Sequence, residues 1–316
     1  TVSFFRNAKT MQFTPQQLAG GACYSDSTRI GNWVEDVCLR DYQKAHFEDK
    51  KKTGSLELQR RRAKLTSGNA PIVSSSPSDD ACLCFGDIVC LDHNQNMRLA
   101  VDIWDEILPG KGVYSVSAVP GGGRSTTGPE PVARSSFRIE SNDEYNNENG
   151  TTVTFGTPFR LKSMLVANNE AVENGLLDEK PDFYLASTLK SERMASRLTN
   201  RQLVFSTSGM NAEILWTFER ATYSMGIESS EDKYFSTGQP VLYGDAVVIQ
   251  HKSTRQALLA DAAQTEHTDF GAECEVVCKT IKPVNFVSAM TREAKGSAIL
   301  TSPLETPENH WFVTRV

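Results

Sequence analysis

The sequence predicts a mainly β fold: a closed barrel of three unequal four-stranded repeats, preceded by an extended arm with one or two short α-helices. Two observations lead to this prediction. The first is a segment that occurs three times, consisting of an aromatic residue, a glycine, a small or acidic residue and then a strand. The second is a change in charge and residue composition near residue 80, where short β-like runs separated by Gly, Asn, Ser and Pro begin.

The repeated segment sets the boundaries of the three units. Its copies begin at Phe85-Gly86, Phe155-Gly156 and Tyr243-Gly244. The glycine permits a positive φ or a close backbone approach at the turn into each strand. A second strand follows each copy, and its matching leucines are Leu99, Leu185 and Leu259, which lie 13, 29 and 15 residues after the glycine. The second repeat therefore carries an insertion, which we place within residues 165–182.

Third and fourth strands complete each unit. The third strands are predicted at Gly112–Ala118, Gln202–Ser206 and Cys274–Lys279. The fourth strands carry Phe137, Trp216 and Trp311, which we expect in the core because of their large apolar area. Each unit is too small to bury its own apolar face. This favours a barrel in which the three units close about a pseudo-threefold axis. The prediction is a β-trefoil-like, MIR-like domain over residues 81–316, with repeats at 82–140, 152–220 and 240–316. The alternative is an irregular β-sandwich with chance similarity among its turns.

Residues 1–80 form the predicted N-terminal arm and linker. They hold 12 Lys and Arg and 9 Asp and Glu, which gives a net charge of +3. Because the whole chain has a net charge of −6, residues 81–316 have a net charge of −9. Apolar residues recur at i, i+4 and i+8 from Val34, which predicts a helix between Glu35 and Asp49. A second, very basic helix is predicted from Leu56 to Leu65, and a Ser-, Gly- and Pro-rich linker from Ser67 to Pro77.

The arm also holds the candidate partner-binding residues. Its basic members are Lys50, Lys51, Lys52, Arg60, Arg61, Arg62 and Lys64. Such charges usually form a solvated helix face, and the functional alternative is docking on an acidic surface. Aromatic residues are sparse among them, so we expect a protein partner and not a nucleic acid. A second candidate set is Arg29, Ile30, Asn32 and Trp33, in which Trp33 either anchors an interface or packs back on the β-domain.

Composition and motif spacing disfavour several classes of function. Hydrophobic residues make up 39% of the chain and charged residues 23%, as in a folded soluble protein. No apolar run approaches the roughly 18–20 residues that span a bilayer, so we expect no membrane partner. The five His and seven Cys give no metal-ligand spacing, and no nucleophile elbow is present. We therefore expect no metal, no cofactor and no enzymatic activity, in a reducing cytoplasmic compartment.

Several segments resemble the cilia- and flagella-associated protein 161 family. The resemblance rests on Arg29–Trp33, on the basic helix ending in Gln59-Arg60-x-Arg62, and on Phe270–Val277 and Asn309–Thr314 near the C-terminus. Tyr243-Gly244-Asp245 and Phe85-Gly86-Asp87 are further anchors, whereas residues 105–235 match poorly and look lengthened at 120–150 and 221–238.

The resemblance implies a cytoskeletal role. It implies a non-catalytic microtubule inner protein in the lumen of axonemal doublet microtubules, at the A-tubule, where the partners are α/β-tubulin and other inner proteins. Bracing the axoneme of a beating cilium or flagellum would be its function. A ligand- or glycan-binding β-trefoil module is the alternative, for which Asp87 and Asp245 occupy equivalent places but Thr157 breaks the series.

Overall fold

A computed structural model describes residues 33–72, 81–121, 130–142, 150–165, 181–221, 223–224, 227–228, 235–279, 294 and 307–316. It divides the chain into two compact units, Thr1–Arg62 and Ala63–Val316. The described elements of the first unit are helix α1 (Trp33–Lys52) and the beginning of helix α2 (Glu57–Gly68), whose last turns belong to the second unit. The boundary that the sequence suggested near residue 80 falls inside the second unit.

A left-handed glycine ends helix α1. Gly54 has a φ of +70°, and the Ser55 N–H donates to the Lys50 carbonyl at 2.9 Å. The Thr53 hydroxyl adds a bond to the Asp49 carbonyl at 3.0 Å. This is the hydrogen-bonding pattern of a glycine C-cap, in which the positive φ turns the chain out of the helix. The interval between the two predicted helices thus contains a defined turn.

The second unit is mainly β. Its strands are β1 (Ile88–His93), β2 (Met97–Leu108), β3 (Val113–Pro120), β4 (Ser136–Ser141), β5 (Pro158–Ser163), β6 (Tyr184–Ser187), β7 (Gln202–Thr207), β8 (Trp216–Arg220), β9 (Tyr223–Ser224), β10 (Ile227–Glu228), β11 (Ala246–His251), β12 (Ala257–Thr268), β13 (Gly271–Lys279) and β14 (His310–Arg315). All except β9 and β10, which pair with each other, belong to one antiparallel sheet of twelve strands. The twelve predicted strands are therefore present, but β2 and β12 have twelve residues each and are much longer than the four-residue second strands that the sequence suggested.

The strand pairings run in a ring. Strand β1 pairs with β14 and β4, β11 pairs with β14 and β8, and β5 pairs with β8 and β4. These six strands are the first and fourth strands of the three predicted repeats. The other six form the hairpins β2–β3, β6–β7 and β12–β13, and the second strands of these hairpins pair with one another. Each of the three predicted repeats thus supplies two strands to the ring and one hairpin.

The repeated glycines occupy equivalent positions in this arrangement. Gly86, Gly156 and Gly244 have φ values of +96°, +87° and +84°, in the left-handed region that favours glycine. Each of their N–H groups donates, at 2.8–2.9 Å, to a carbonyl two residues after the core aromatic of a fourth strand. The acceptors are Ile139, Phe218 and Val313, in that order. The glycine therefore joins the start of each repeat to a fourth strand.

Three buried residues close a cycle of backbone hydrogen bonds near these turns. The Leu83 N–H donates to the Val241 carbonyl at 2.8 Å, Val241 to Val153 at 2.9 Å, and Val153 back to Leu83 at 2.7 Å. All three side chains are fully buried. The cycle places one residue of each predicted repeat around the same point.

The aromatic residues of the fourth strands lie in the core. Phe137, Trp216 and Trp311 are fully buried. The indole N–H of Trp216 donates to the Leu185 carbonyl at 2.8 Å, and that of Trp311 to the Leu258 carbonyl at 3.2 Å. Leu258 in the third repeat therefore corresponds to Leu185, and the sequence alignment through Leu259 is wrong by one residue.

The second repeat has the longest connection between its first two strands. Residues 164–183 separate β5 from β6, whereas three residues separate β1 from β2 and five separate β11 from β12. This agrees with an insertion in the second repeat. Most of the predicted insertion lies outside the described residues, as do large parts of 120–150 and 221–238.

Candidate docking surfaces and a buried charge cluster

Helix α1 is accessible along most of its described side chains. No residue from Asp36 to Lys52 is buried. Tyr42 and Phe47 are 68% and 54% exposed, and Val37 is also exposed. The Tyr42 ring stacks on His46, with centroids 6.0 Å apart. Helices gain most of their stability in proteins by packing an apolar face, so this surface is suited to a partner.

Six of the predicted basic residues lie in the first unit and are exposed; we call them the exposed basic cluster. They are Lys50, Lys51, Lys52, Arg60, Arg61 and Arg62. The three lysines form the last turn of α1, where cations complement the helix dipole. Arg61 makes an ion pair with Glu57 one turn earlier in α2, at 3.5 Å, and both side chains are largely exposed. The cluster thus has the accessibility that electrostatic docking requires.

Lys64 differs from the other predicted basic residues. Its side chain is only 10% exposed, and its Nζ lies 2.7 Å from Asp102 Oδ2 and 2.8 Å from Asp269 Oδ2. Burial alone would lower the pKa of Lys64, but the hydrogen bonds and negative charges of the two aspartates outweigh that effect and raise its pKa. Lys64 is therefore bound to carboxylates of its own chain, and we separate it from the exposed basic cluster.

A second ion pair, more deeply buried, lies in the same unit. Arg134 Nη1 is 2.6 Å from Glu273 Oε1, and the two side chains are 4% and 2% exposed. Ser117 donates its hydroxyl to Glu273 Oε2 at 2.7 Å. The Arg134 guanidinium lies 3.8 Å above the centroid of the Phe270 ring. A Cβ at Gly68 would lie only 2.8 Å from that ring, so glycine allows the end of α2 to approach it closely.

We call Lys64, Asp102, Arg134 and Glu273 the buried charge cluster, and the more exposed Asp269 lies at its edge. They join the end of α2 to strand β2, to the 3-10 turn before β4 and to the β12–β13 hairpin. The segment after α2 continues this attachment, because Ala70 and Ile72 pack against the core and Ala133 donates its N–H to the Ala70 carbonyl at 2.9 Å. Part of the predicted linker is therefore packed on the β-domain.

Two buried histidines have structural partners. Nε2 of His93 lies 2.8 Å from the Glu308 carbonyl, and Nε2 of His251 lies 2.9 Å from the Glu213 carbonyl. Burial lowers the pKa of both imidazoles, which favours the neutral form that bonds a carbonyl through an N–H. Each ring also contacts a core tryptophan. Both histidines thus connect the end of a first strand to the turn before a fourth strand.

Several other features bear on possible chemistry. Among the described residues, no group of three or more His, Cys, Asp or Glu side chains is arranged to hold a metal ion. Burial raises the pKa of the Cys278 thiol to about 12, which disfavours the reactive thiolate. In the described part of the chain, no helix has the length and apolar character needed to cross a bilayer.

Comparison with known proteins identifies the family. A cilia- and flagella-associated protein 161-like domain matches residues 123–286, more than half of the chain. The chain belongs to the cilia- and flagella-associated protein 161 family. The match includes most of the region that the sequence reading found poorly matched, and it does not reach the N-terminal segments that suggested the resemblance.

Relatives in this family extend the similarity over most of the chain. Cilia- and flagella-associated protein 161 of Danio rerio is 26% identical over 277 residues, 81% of this chain and 82% of the relative. The Bos taurus protein of the same name is 25% identical over 302 residues, 92% of this chain and 81% of the relative.

Solved structures of lower similarity were also found. The SDF2-like protein from Arabidopsis thaliana has a TM-score of 0.45 and 15% identity, over 74% of this chain and 94% of that protein. A Caenorhabditis elegans protein of unknown function has a TM-score of 0.46 and 16% identity, over 75% of this chain and 98% of that protein.

The remaining predicted residues are placed as follows. Arg29, Ile30 and Asn32 lie outside the described residues, and Trp33 begins helix α1 with a side chain that is not described. Phe85 and Phe155 are buried, whereas Tyr243 is half-buried and donates its hydroxyl to Asp87 at 2.6 Å. This chain thus presents two different candidate regions, an exposed basic cluster and a packed β-domain.

Sequence reasoning missed the buried charge cluster. Its partners are far apart in the chain, since Arg134 and Glu273 are 139 residues apart, and no local pattern reports such a pairing. One local signal was available. Lys64 precedes a small residue, Gly68, and the apolar Ala70 and Ile72, a sequence typical of a segment that approaches a core closely.

Proposed function

We propose that this chain is a structural microtubule inner protein, which binds tubulin in the lumen of axonemal doublet microtubules, at the A-tubule, and stabilises the axoneme of beating cilia or flagella. Membership of a cilia- and flagella-associated family supports the cellular setting. The observation that carries the proposal is the first unit, where the exposed basic cluster is combined with exposed apolar side chains on α1. Such a combination suits an extended contact with an acidic protein.

The β-domain fits the mechanical part of this proposal. We propose that the ring of six strands is the closed barrel of a β-trefoil and that the three hairpins cap one of its ends. A closed barrel has few open sheet edges and serves as a rigid body. Repetition along a microtubule would add avidity to contacts that are weak individually. The partners we propose are α/β-tubulin and neighbouring inner proteins.

The glycan-binding alternative has less support. It requires Asp87 and Asp245 to be available to a ligand at equivalent sites. Asp87 Oδ2 accepts the Cys84 N–H at 2.9 Å and the Tyr243 hydroxyl at 2.6 Å, and Asp245 Oδ2 accepts the Leu242 N–H at 3.1 Å. Both carboxylates are engaged in the turns that begin their repeats, which favours a structural role for them.

Incorporation into axonemes tests the proposal. A tagged chain is expressed in ciliated cells, and its retention is measured in detergent-extracted axonemes. We expect retention of the wild-type chain and strong loss for the variant with Arg60→Glu, Arg61→Glu and Arg62→Glu. Exposed charge contacts contribute on the order of 0.5–1 kcal/mol each, so three reversals predict about a tenfold or greater loss of occupancy.

A matched control separates local charge from net charge. Arg138, Arg220 and Lys252 are exposed on the β-domain, and their triple replacement by Glu changes net charge by the same amount. This control is expected to keep most of the wild-type occupancy. A wild-type chain that washes out of extracted axonemes would contradict the structural role. If the variant with Arg60→Glu, Arg61→Glu and Arg62→Glu were retained as well as the wild type, the exposed basic cluster would have no part in the proposed binding.

A further inference from the structure

The three repeats also differ in the connection between their second and third strands. Residues 109–112 connect β2 to β3, and residues 269–270 connect β12 to β13. In the second repeat the connection is residues 188–201, which we call the repeat-two loop. Strand β6 has only four residues, whereas β2 and β12 have twelve each. The second repeat thus has a long surface loop where the others extend their strands.

The third repeat holds this loop in place. Glu275 on β13 accepts the Leu198 N–H at 2.8 Å, the Thr199 N–H at 3.2 Å and the Thr199 hydroxyl at 2.7 Å. Arg197 binds Glu266 on β12 at 3.1 Å. Backbone N–H groups bound to a carboxylate form stronger hydrogen bonds than neutral pairs. The loop is therefore attached to the third repeat by its own backbone.

Bonds within the loop fix its conformation further. The Ser196 N–H donates to the Arg201 carbonyl at 3.0 Å, and the Arg201 N–H donates to the Ser196 hydroxyl at 2.9 Å. The Met194 N–H donates to the Ser191 hydroxyl at 3.1 Å. A loop held in one conformation loses little conformational entropy when a partner binds, which favours affinity.

The surface of the loop differs in charge from the domain that carries it. The loop contains four basic residues and one acidic residue, whereas residues 81–316 carry a net charge of −9. Lys190 and Arg193 are exposed, and so are Leu189 (68%) and Leu198 (43%). Single exposed leucines are common on protein surfaces. Arg197 is paired with Glu266 and Asp105, so the positive charge available to a partner lies at Lys190 and Arg193, on a fixed loop that also exposes the two leucines.

We propose that the repeat-two loop is a second docking surface, which binds an acidic protein surface through Lys190 and Arg193 while Leu189 and Leu198 contact apolar groups of that partner. Charge complementarity favours an acidic partner. Lys190 and Arg193 attract negative charge at the loop, although the domain as a whole has a net negative charge. The loop has no aromatic residue on which a base could stack, which favours protein over nucleic acid. This surface is separate from the exposed basic cluster and does not depend on it.

Fluorescence anisotropy with labelled peptides tests the loop alone. The protein is the full chain carrying Arg60→Glu, Arg61→Glu and Arg62→Glu, so that binding by the arm is weakened. The probes are poly-glutamate, a Glu-Glu-Leu repeat peptide of equal charge, and a DNA duplex of matched charge. We expect Lys190→Glu with Arg193→Glu to weaken binding of both peptides about tenfold. The control with Arg138→Glu and Lys252→Glu is expected to change affinity less than about threefold.

The apolar part of the proposal has its own readout. The Glu-Glu-Leu peptide is expected to bind more tightly than poly-glutamate, and Leu189→Ser with Leu198→Ser is expected to abolish that difference. Thermal unfolding of every variant checks that the domain remains folded. The proposal is overturned if neither peptide binds, if the control weakens binding as much as the loop variant, or if the DNA duplex binds more tightly than both peptides.

Discussion

Two groups of basic residues, one in each unit, lie in opposite environments. The exposed basic cluster lies in the first unit, where its side chains face water. Lys64 and Arg134 lie in the second unit, are at most 10% exposed and are bound to carboxylates. Arg62 and Lys64 are two residues apart in the same helix, yet one is exposed and the other is almost buried. The residue type therefore does not determine the role; the surroundings do.

The difference has opposite consequences for stability and for binding. An exposed charge contributes little to folding, about 0–1 kcal/mol for a surface ion pair, and remains available to a partner. A buried charge that loses its partner destabilises the fold by about 3–5 kcal/mol, because the remaining charge cannot be solvated. The two groups of basic residues should therefore respond differently to the same kind of substitution.

Replacing Arg134 by Met should have the largest effect. The substitution keeps an unbranched side chain over Phe270 but leaves Glu273 buried without its cation. We expect the free energy of unfolding to fall by about 3–5 kcal/mol. Chemical denaturation of the full chain, followed by tryptophan fluorescence, measures this change.

A double substitution shows whether the unpaired charge is the cause. Arg134→Met combined with Glu273→Met removes both charges and leaves only the Ser117 hydroxyl without its acceptor. The double variant should be more stable than Arg134→Met alone. If the two substitutions were additive, the loss would come from packing and not from the ion pair.

Replacing Lys64 by Met should have an intermediate effect. Asp102 is 5% exposed and would lose its cation, whereas Asp269 is 31% exposed and can be solvated in part. We expect the free energy of unfolding to fall by about 1–3 kcal/mol, less than for Arg134. A loss of stability as large as that for Arg134→Met would show that the exposure of Asp269 does not reduce the destabilisation.

The pH dependence of this variant gives an independent measurement. The pKa of Lys64 is higher in the folded chain than the ordinary value of 10.5. Its contribution is therefore complete below the unfolded pKa and is lost as pH rises through the folded pKa. The difference in melting temperature between wild type and Lys64→Met should stay constant from about pH 8 to pH 10 and shrink at higher pH. A constant difference up to about pH 11.5 would contradict this assignment.

The repeats could be predicted because each one has a local sequence pattern that can be recognised. The aromatic-Gly turn and the core aromatics Phe137, Trp216 and Trp311 recur in the same order. The exact register of the third repeat could not be predicted. Residues 257–260 are all buried, so the strand shows no alternation that distinguishes Leu258 from Leu259.

The buried charge cluster and the repeat-two loop depend on contacts between distant residues. Lys64 and Asp269 are 205 residues apart, and Thr199 and Glu275 are 76 residues apart. Its residue type and the basic run alone do not separate Lys64 from its neighbours, because its burial comes from the tertiary fold. The basic composition of 188–201 was visible, but its fixed conformation depends on strand β13 of another repeat.

Replacing Arg61 by Gln should have the smallest effect and is the closest match to Lys64→Met. Both substitutions remove one positive charge from helix α2. Arg61 is 62% exposed and its partner Glu57 is 80% exposed, so the free energy of unfolding should change by less than about 0.5 kcal/mol. Helicity by circular dichroism and the melting temperature should stay near wild-type values. A destabilisation equal to that of Lys64→Met would mean that charge itself, and not burial, distinguishes the two positions.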